Sequence, residues 1–563
     1  MTALGEWSAR TRAYNLTRLE QETYDVLVIG GGITGAGVAR EAALRGLRVA
    51  LVERRDFAQG TSSRSSKLIH GGLRYLPQGD VGLVREAATE RKVLRRLAPH
   101  LARPIQMLVP VYSRTGYLTI RAGLFTYDHL AGVSKEERNR MLSREETLAL
   151  EPWLKEEKLY GAGLYYEYLT DDARLVLDTL KAAAALGAVI TNYTPVVRLH
   201  LENNRIAGAW IADAMAEGEV LVRAHSIVNA AGPWVDEVRA LQGGTESRRL
   251  HLTKGIHLIL LHQRLPVGRC VVMSAADKRS VFAIPHGDLV YLGTTDTDYT
   301  GPYDDPPITL DDAEYLLEAA NRAFRVEPLR VDDVVGAWAG LRPLLHEEGR
   351  KPSEISRKDE IMIGPTGLIS VAGGKLTTYR RMAQRILRLV LERLAEQGFR
   401  VPEPIGDSAT TPLSGGDFDG NVESLVGSLQ TKWQGIRPEL LQRLVSLYGT
   451  NADWIAGAII ADPILAEETP DGCGLTRAEV LYNVRQEMAL TLQDVLERRT
   501  RLFLWDRQNG LGAAPTVAEW LAGWLDWSPA RTSQELAAYR AHVAEVKTFR
   551  PSVATTEGMA AHA

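Results

Sequence analysis

The chain has 563 residues, 45% hydrophobic and 24% charged, with 66 basic against 70 acidic side chains and a formal net charge of −4. That length accommodates two to four domains with cores large enough to need no covalent staples. The near balance of charge gives no global attraction to nucleic acid, and no basic stretch with interleaved aromatics stands out. Its two cysteines, Cys270 and Cys473, have no metal-ligand spacing and cannot form a disulfide framework, so no metal site is expected and a reducing, intracellular setting is the simplest reading. No secretory signal is expected in Met1 to Glu20, where charges are scattered throughout, and no run approaches the 18 apolar residues of a spanning helix.

In chain order, residues 1–23 form a polar lead-in. Tyr24 to Ile29 is predicted as a buried strand, Gly35 to Arg45 as a helix stopped by Gly46, and Arg48 to Glu53 as a second buried strand. This βαβ unit opens a doubly wound α/β sheet. A Ser-rich segment, Gly60 to Arg74, precedes an amphipathic helix from Leu83 to Leu97. Asp172 to Leu186 reads as a helix, Val189 to Leu199 as a strand, and Ser226 to Gly232 as a strand entering a small-residue turn. Val281 to Thr294 reads as a hairpin turning at His286-Gly287-Asp288. Leu368 to Val371 is a further strand. A long helix opens near Thr377, and its Arg380, Arg381, Arg385, Arg388 and Arg393 are expected on a solvated face.

Gly30-Gly31-Gly32-Ile33-Thr34-Gly35 satisfies G-x-G-x-x-G with a strand before it, a helix after it and Glu53 ending the next strand, which is the context of a dinucleotide site. Gly30 permits the tight turn and Gly32 the approach of a pyrophosphate. Gly35 permits close helix packing, and Glu53 would accept from the adenosine ribose. Three later segments favour FAD over NAD. Thr61 to Lys67 offers hydroxyl and backbone donors, Asn229 to Trp234 is a second small-residue turn, and Ser370 to Lys375 is a third. A cofactor touched by residues 30 to 375 is long and buried.

Lys67-Leu68-Ile69-His70-Gly71-Gly72-Leu73-Arg74-Tyr75-Leu76 and Gly373-Gly374-Lys375-Leu376-Thr377-Thr378-Tyr379-Arg380 resemble signatures of the FAD-dependent, quinone-linked (aerobic) glycerol-3-phosphate dehydrogenase family. So do Leu169 to Leu175, Gly293 to Asp296 and Gly340 to Leu344. The resemblance spans residues 20 to 395 and continues more weakly around Val480 to Leu504. It implies a glutathione-reductase-like, two-dinucleotide-binding-type FAD domain (about 24–100, 160–250 and 340–400) with a β-rich substrate domain (about 101–159 and 251–339). A linker at 401–419, a C-terminal α-helical cap at 420–547 and a flexible tail at 548–563 complete the expected organisation. Cofactor contacts are expected from Gly30, Gly32, Gly35, Glu53, Thr61, Ser62, Ser66, Lys67, Leu68, Gly232, Gly374, Lys375, Leu376 and Thr377.

The same resemblance implies a substrate cluster of Arg74, Tyr75, His257, Arg342, Arg357 and Lys375, because a phosphate dianion calls for fixed cations, arginine forks above all. His257, Lys375 and Arg342 are the expected catalytic set. His257 is assigned as the base for the carbon 2 hydroxyl, with Lys375 or water as competitor, while carbon 2 passes its hydride to flavin N5. A buried salt bridge is the alternative for Arg342, a surface charge for Arg357 and a structural strand histidine for His257. The family implies oxidation of sn-glycerol 3-phosphate to dihydroxyacetone phosphate, with electrons passed to a quinone by a cytoplasmic protein on the inner face of the cell membrane. A homodimer is the expected assembly. An oxidase using oxygen, or an amine or amino-acid oxidase of the same fold, is the alternative.

Overall fold

The computed structural model describes residues 7–72, 80–131, 133, 135–243, 249–345 and 360–549. Two sheets organise them. The first has eight strands and a central path of Glu360–Ile363, Ile369–Ala372, Glu219–Asn229, Thr23–Ile29, Val49–Val52 and Val189–Thr191. The four neighbouring pairs from Ile369–Ala372 to Val189–Thr191 are all parallel. Register brings Ile29 level with both Val52 and Asn229. The turn after each of these strands therefore emerges at one sheet edge, where doubly wound folds bind ligands.

The strand Thr23–Ile29 is apolar and buried from Val26 to Ile29 because both faces are covered there. On one face the helix Ile33–Leu44 packs against Asp172–Ala185 and Tyr379–Glu396. The approach is close enough that a Cβ on Gly37 would stand 2.8 Å from the Tyr379 ring. The predicted strand Val189 to Leu199 is two strands, Val189–Thr191 and Val196–Glu202. Between them Tyr193 turns to a positive φ of 55° and Pro195 supplies no ladder donor, so the second strand pairs antiparallel with Arg205–Ala212 instead.

The second sheet has ten strands. Near one edge Leu250–Leu261 pairs antiparallel with Leu289–Gly293 on one side and Val334–Leu345 on the other. Ser280–His286 and Leu289–Gly293 form the expected hairpin around Gly287-Asp288. The strands Gly161–Leu169 and Val334–Leu345, placed by the sequence boundaries wholly or partly in the cofactor domain, pair in this second sheet. Leu68–Ile69 does so too, across from Tyr168 and Leu169. Chain crosses between the sheets at these places, and the crossings bring the Ser-rich segment over the seam.

The stretch 401–419, expected as a linker, is docked. Leu413 is buried, and Arg40 donates to the carbonyls of Ser408 and Thr411. Arg380 corrects the expected solvated arginine face. It is 3% exposed and paired with buried Glu90 at 2.6 Å, and it reaches Ser408 Oγ at 3.1 Å. It points toward the neighbouring helix Val81–Leu97, where Glu90 lies, and the more exposed Arg381 and Arg385 also reach that helix, at Glu90 and Glu86, each at 3.3 Å.

The C-terminal region is helical, from Val422–Lys432 to Pro529–Val546. Part of it makes its own core around Leu441, Leu444, Ile455 and Tyr482. Another part, including Val484, Leu492, Val495 and Phe503, shares one core with Tyr291 and Trp338 of the second sheet. Buried ion pairs reinforce this joint: Arg498 and Arg499 both grip Asp56, and Arg174 bridges Asp178 and Glu487. Asp56→Ala would leave two buried guanidiniums without that carboxylate, and removing one partner of a buried pair costs about 3–5 kcal/mol. The expected result is a fall of that size in urea stability, read from the denaturation midpoint, with loosening of the C-terminal helices seen by proteolysis.

Candidate active site

One cavity of about 1010 Å³ runs along the seam between the sheets. Its lining includes Gly30, Gly32 and Glu53 together with Thr61, Ser62, Ser66, Leu68, Gly232, Gly374, Leu376 and Thr377. His257, Arg342 and Lys375 line the same cavity. Segments more than three hundred residues apart thus surround a single elongated space.

The glycine turn explains one end. Gly30 has φ +112°, and a Cβ there would stand 2.6 Å from the Ala230 carbonyl oxygen. A Cβ on Gly35 would collide with the Gly30 carbonyl, so Gly35 packs the helix closely, but it lies outside the lining and is not the cofactor contact expected of it. The helix after the turn starts at Ile33, whose N–H donates to Ser62 Oγ at 2.9 Å. Glu53 receives the Gly31 N–H at 2.6 Å and the Arg55 N–H at 2.9 Å. Burial raises the Glu53 pKa, and those two N–H groups oppose the shift.

At the other end, Arg342 lies across the strand Leu250–Leu261 at Gly255, where a Cβ would meet its Nη2 at 2.5 Å. Arg342 pairs with Asp296 at 2.8 Å and donates to the Thr295 carbonyl and to Thr294 Oγ1, each at 3.1 Å. It is both a salt-bridged and a cavity-facing arginine, since its side chain keeps 21% of its surface exposed. Two residues along the strand from Gly255, His257 is 2% exposed and stacked on Trp338 with ring centroids 4.5 Å apart. Its Nε2 lies 2.8 Å from Ser66 Oγ, and its Nδ1 is enclosed with no hydrogen-bond partner. Gly293, its cross-strand neighbour, leaves room for the ring.

Burial, then the charges of Lys67 and Arg342, hold the His257 pKa well below its usual value, so the imidazole is neutral at pH 7. An unfolded chain protonates this histidine below about pH 6.5, while the folded protein does not. The unfolded state then binds more protons, and stability present above pH 6.5 is lost as the pH falls. Between pH 7 and pH 5 this one group should therefore lower the stability by a measurable increment. His257→Phe should remove that increment from the difference between urea denaturation free energies measured at the two pH values.

The sequence-derived site residues divide three ways. Most of the expected cofactor contacts line the cavity, and so do His257, Arg342 and Lys375. Lys67 does not: its ammonium is 2.9 Å from both Asp172 Oδ1 and the Ser63 carbonyl, and it is buried away from the lining. A buried carboxylate is a stronger partner for a desolvated ammonium than a backbone or hydroxyl dipole would be. Arg74, Tyr75 and Arg357 lie outside the described residues. Sequence reasoning did not single out Asp296, Trp338 or Asp172. Asp296 and Asp172 stand inside quoted motif blocks, and a carboxylate beside a block arginine or lysine was the available signal.

The family model described as FAD dependent oxidoreductase matches residues 25–380, and that for the C-terminal domain of alpha-glycerophosphate oxidase matches residues 407–532. An aerobic glycerol-3-phosphate dehydrogenase from Staphylococcus aureus is 42% identical over 523 residues, covering 91% of this chain and 93% of that protein. The crystal structure of a glycerol-3-phosphate dehydrogenase from Bacillus halodurans complexed with FAD is 34% identical, with a TM-score of 0.81 over 97% of this chain and 99% of that one. An L-alpha-glycerophosphate oxidase from Mycoplasma pneumoniae with FAD bound is 20% identical, with a TM-score of 0.55 over 70% of this chain and 99% of that one, and it shares the fold.

Fold and cavity together define an FAD-dependent oxidoreductase. Within that class the chain belongs to the aerobic glycerol-3-phosphate dehydrogenase family. Its residues fit the cofactor: the Gly30 turn and the Ile33 helix start suit the pyrophosphate, Glu53 suits the ribose, and the Gly373-Gly374 turn lines the same cavity.

Proposed function

We propose that this chain oxidises sn-glycerol 3-phosphate to dihydroxyacetone phosphate and passes the electrons to a quinone. The observation that carries this reading is the shared cavity in which Arg342, His257 and Lys375 stand with the Gly373-Gly374 turn. The names of the relatives support it. Bound FAD supplies the hydride acceptor. Arg342 grips the phosphate with its guanidinium fork, already oriented by Asp296 and Thr294. Lys375 adds a second cation. His257, neutral at pH 7, takes the carbon 2 hydroxyl proton through Nε2, the nitrogen facing Ser66. Holding carbon 2 in place while excluding water supplies much of the rate.

The test is anaerobic. Glycerol 3-phosphate added to the flavin-loaded protein should bleach the flavin band, and a flavin that stays oxidised but bleaches with an amine overturns the substrate. Readmitting either a quinone analogue or air then separates dehydrogenase from oxidase. Rapid reoxidation by the quinone and slow reoxidation by oxygen is the expected outcome.

Among the described residues no helix is long and apolar enough to cross a membrane. Docking to the cytoplasmic face belongs to the same reading, as does assembly as a homodimer. The helix Arg114–Ala131 supports the first: it exposes Phe125 at 73% and Leu118 at 55% beside Arg114 and Arg121, the pattern of an interfacial helix. Phe125→Glu should lower co-sedimentation with anionic vesicles several-fold while leaving anaerobic flavin reduction intact. Unchanged sedimentation would remove this helix from the contact.

A further inference from the structure

We propose that Arg501, contributed by the C-terminal region, is a positioning residue that sets the Ser66–His257 pair through Asp172. This rests on the reading of His257 as the proton acceptor. Arg501 is 2% exposed, and its Nη2 donates to Asp172 Oδ1 at 2.9 Å. Asp172 is fully buried and sits in the first turn of the helix Asp172–Ala185, where the helix dipole favours a carboxylate. Its Oδ2 accepts from the Ser65 N–H at 3.1 Å and from the Ser65 hydroxyl at 2.7 Å. The Lys67 ammonium donates to both of its oxygens, at 2.9 and 3.1 Å.

One carboxylate therefore grips both chain neighbours of Ser66. The backbone is pinned again from the second sheet: Trp338 Nε1 donates to the Ser65 carbonyl at 3.2 Å, and the Tyr291 hydroxyl donates to the Ser66 carbonyl at 3.1 Å. Lys67 is held at a positive φ of 53°, a conformation that a non-glycine residue keeps when its surroundings determine it. The Ser66 hydroxyl is what this arrangement leaves facing the cavity and His257 Nε2. The enclosed Nδ1 leaves Nε2 as the nitrogen through which His257 can exchange a proton with the cavity, so the place of Ser66 decides how that nitrogen is presented.

The other buried ion pairs of the joint lack this geometry. Arg498 and Arg499 converge on Asp56, and Arg174 on Asp178 and Glu487, without a bond to residues 65–67. Two cations on Asp172 keep it ionised: burial pushes its pKa up, and Lys67 and Arg501 more than offset that. Removing Arg501 leaves Lys67 as the remaining cation on a carboxylate that must still anchor Ser65. The expected consequence is a looser serine segment, with a misplacement of the kind that costs up to 10²-fold in rate.

Single-turnover flavin reduction by glycerol 3-phosphate, with the FAD-loaded full chain, tests this. Arg501→Ala is expected to reduce its flavin about 10–100-fold more slowly than wild type at saturating substrate. Half-saturation should change little, and FAD content should be unchanged. Arg501→Lys should fall between, and added guanidinium should restore part of the alanine variant's rate. Ser65→Ala keeps the Arg501–Asp172–Lys67 cluster and the Ser65 N–H bond but removes the 2.7 Å hydroxyl bond by which the loop holds Asp172, so it should be slowed in the same direction. Arg443→Met, which breaks the Arg443–Glu479 pair elsewhere in the C-terminal region, should lower stability and leave the rate per bound flavin at the wild-type value.

Wild-type rates in Arg501→Ala, or a rate loss that Ser65→Ala does not share, overturn the proposal. If Arg501→Ala cannot hold FAD, a wild-type rate in Ser65→Ala overturns it alone. Should glycerol 3-phosphate leave the wild-type flavin oxidised, the substrate reading fails. The same variants compared with the compound that does reduce the flavin then decide the positioning role.

Discussion

Arg342→Ala is expected to raise KM for glycerol 3-phosphate by roughly 10²–10³-fold, with a much smaller change in kcat. Truncating one partner of a buried, hydrogen-bonded charge pair costs about 2–5 kcal/mol, and each 1.4 kcal/mol is tenfold in affinity. Two effects combine at this position. The cavity loses the fork that would hold the phosphate, and Asp296 loses its partner at 2.8 Å, turning a neutral pair into a carboxylate that repels the same phosphate. Arg342→Lys should recover only part of the loss, because an ammonium cannot span Asp296, Thr294 Oγ1 and a phosphate with planar forks. Steady-state kinetics at fixed quinone analogue measure it. An unchanged KM in the alanine variant would return Arg342 to the role of a structural ion pair.

His257→Ala should have the second large effect, in the opposite kinetic parameter. General base catalysis contributes typically 10²–10⁴-fold, so the anaerobic flavin reduction rate should fall by about that factor while KM moves a few-fold. The geometry leads to this split. The ring is stacked on Trp338 and hydrogen-bonded to Ser66, and neither contact involves the Arg342 fork, whose charge only adds to burial and Lys67 in keeping the ring neutral. Flavin content must be measured alongside, since the deletion opens a hole beside Trp338. A variant that reduces its flavin at the wild-type rate would show that the proton leaves by another group, with Lys375 next in line.

Much of the cofactor half was legible in the sequence. Local pattern and chain connectivity are enough for a βαβ unit: an apolar strand on each side, glycines at a turn and an acidic residue at the next strand end. The hairpin at Gly287-Asp288 and the helix before Gly46 were legible for the same reason, because their signals are contained in a few consecutive residues. The substrate end was legible only through the resemblance. Arg342 and His257 sit on neighbouring strands whose pairing no local signal announces.

Where sequence reading went astray, the cause was a partner distant along the chain. Arg380 follows the spacing of a solvated face, yet Glu90, nearly three hundred residues earlier, draws it inward. Lys67 stands in a cofactor motif, yet Asp172 claims its ammonium. The break at Tyr193 to Pro195 is a switch of pairing partner, from a parallel neighbour to an antiparallel one, and an apolar run looks the same in either role.

By itself, then, the sequence determined the dinucleotide turn, the order of strands and helices around it, the resemblance to a flavoprotein family, and a short list of cations and one histidine suited to a phosphorylated alcohol. Tertiary structure alone decided which of those side chains share a cavity and which are spent on ion pairs. It also decided that Ser66 stands against His257 and that a C-terminal arginine reaches Asp172 behind them. The physical reason is one of range. Turn chemistry and hydrophobic period act over a few residues, whereas a buried charge is satisfied by whatever opposite charge the packing delivers, however far along the chain it lies.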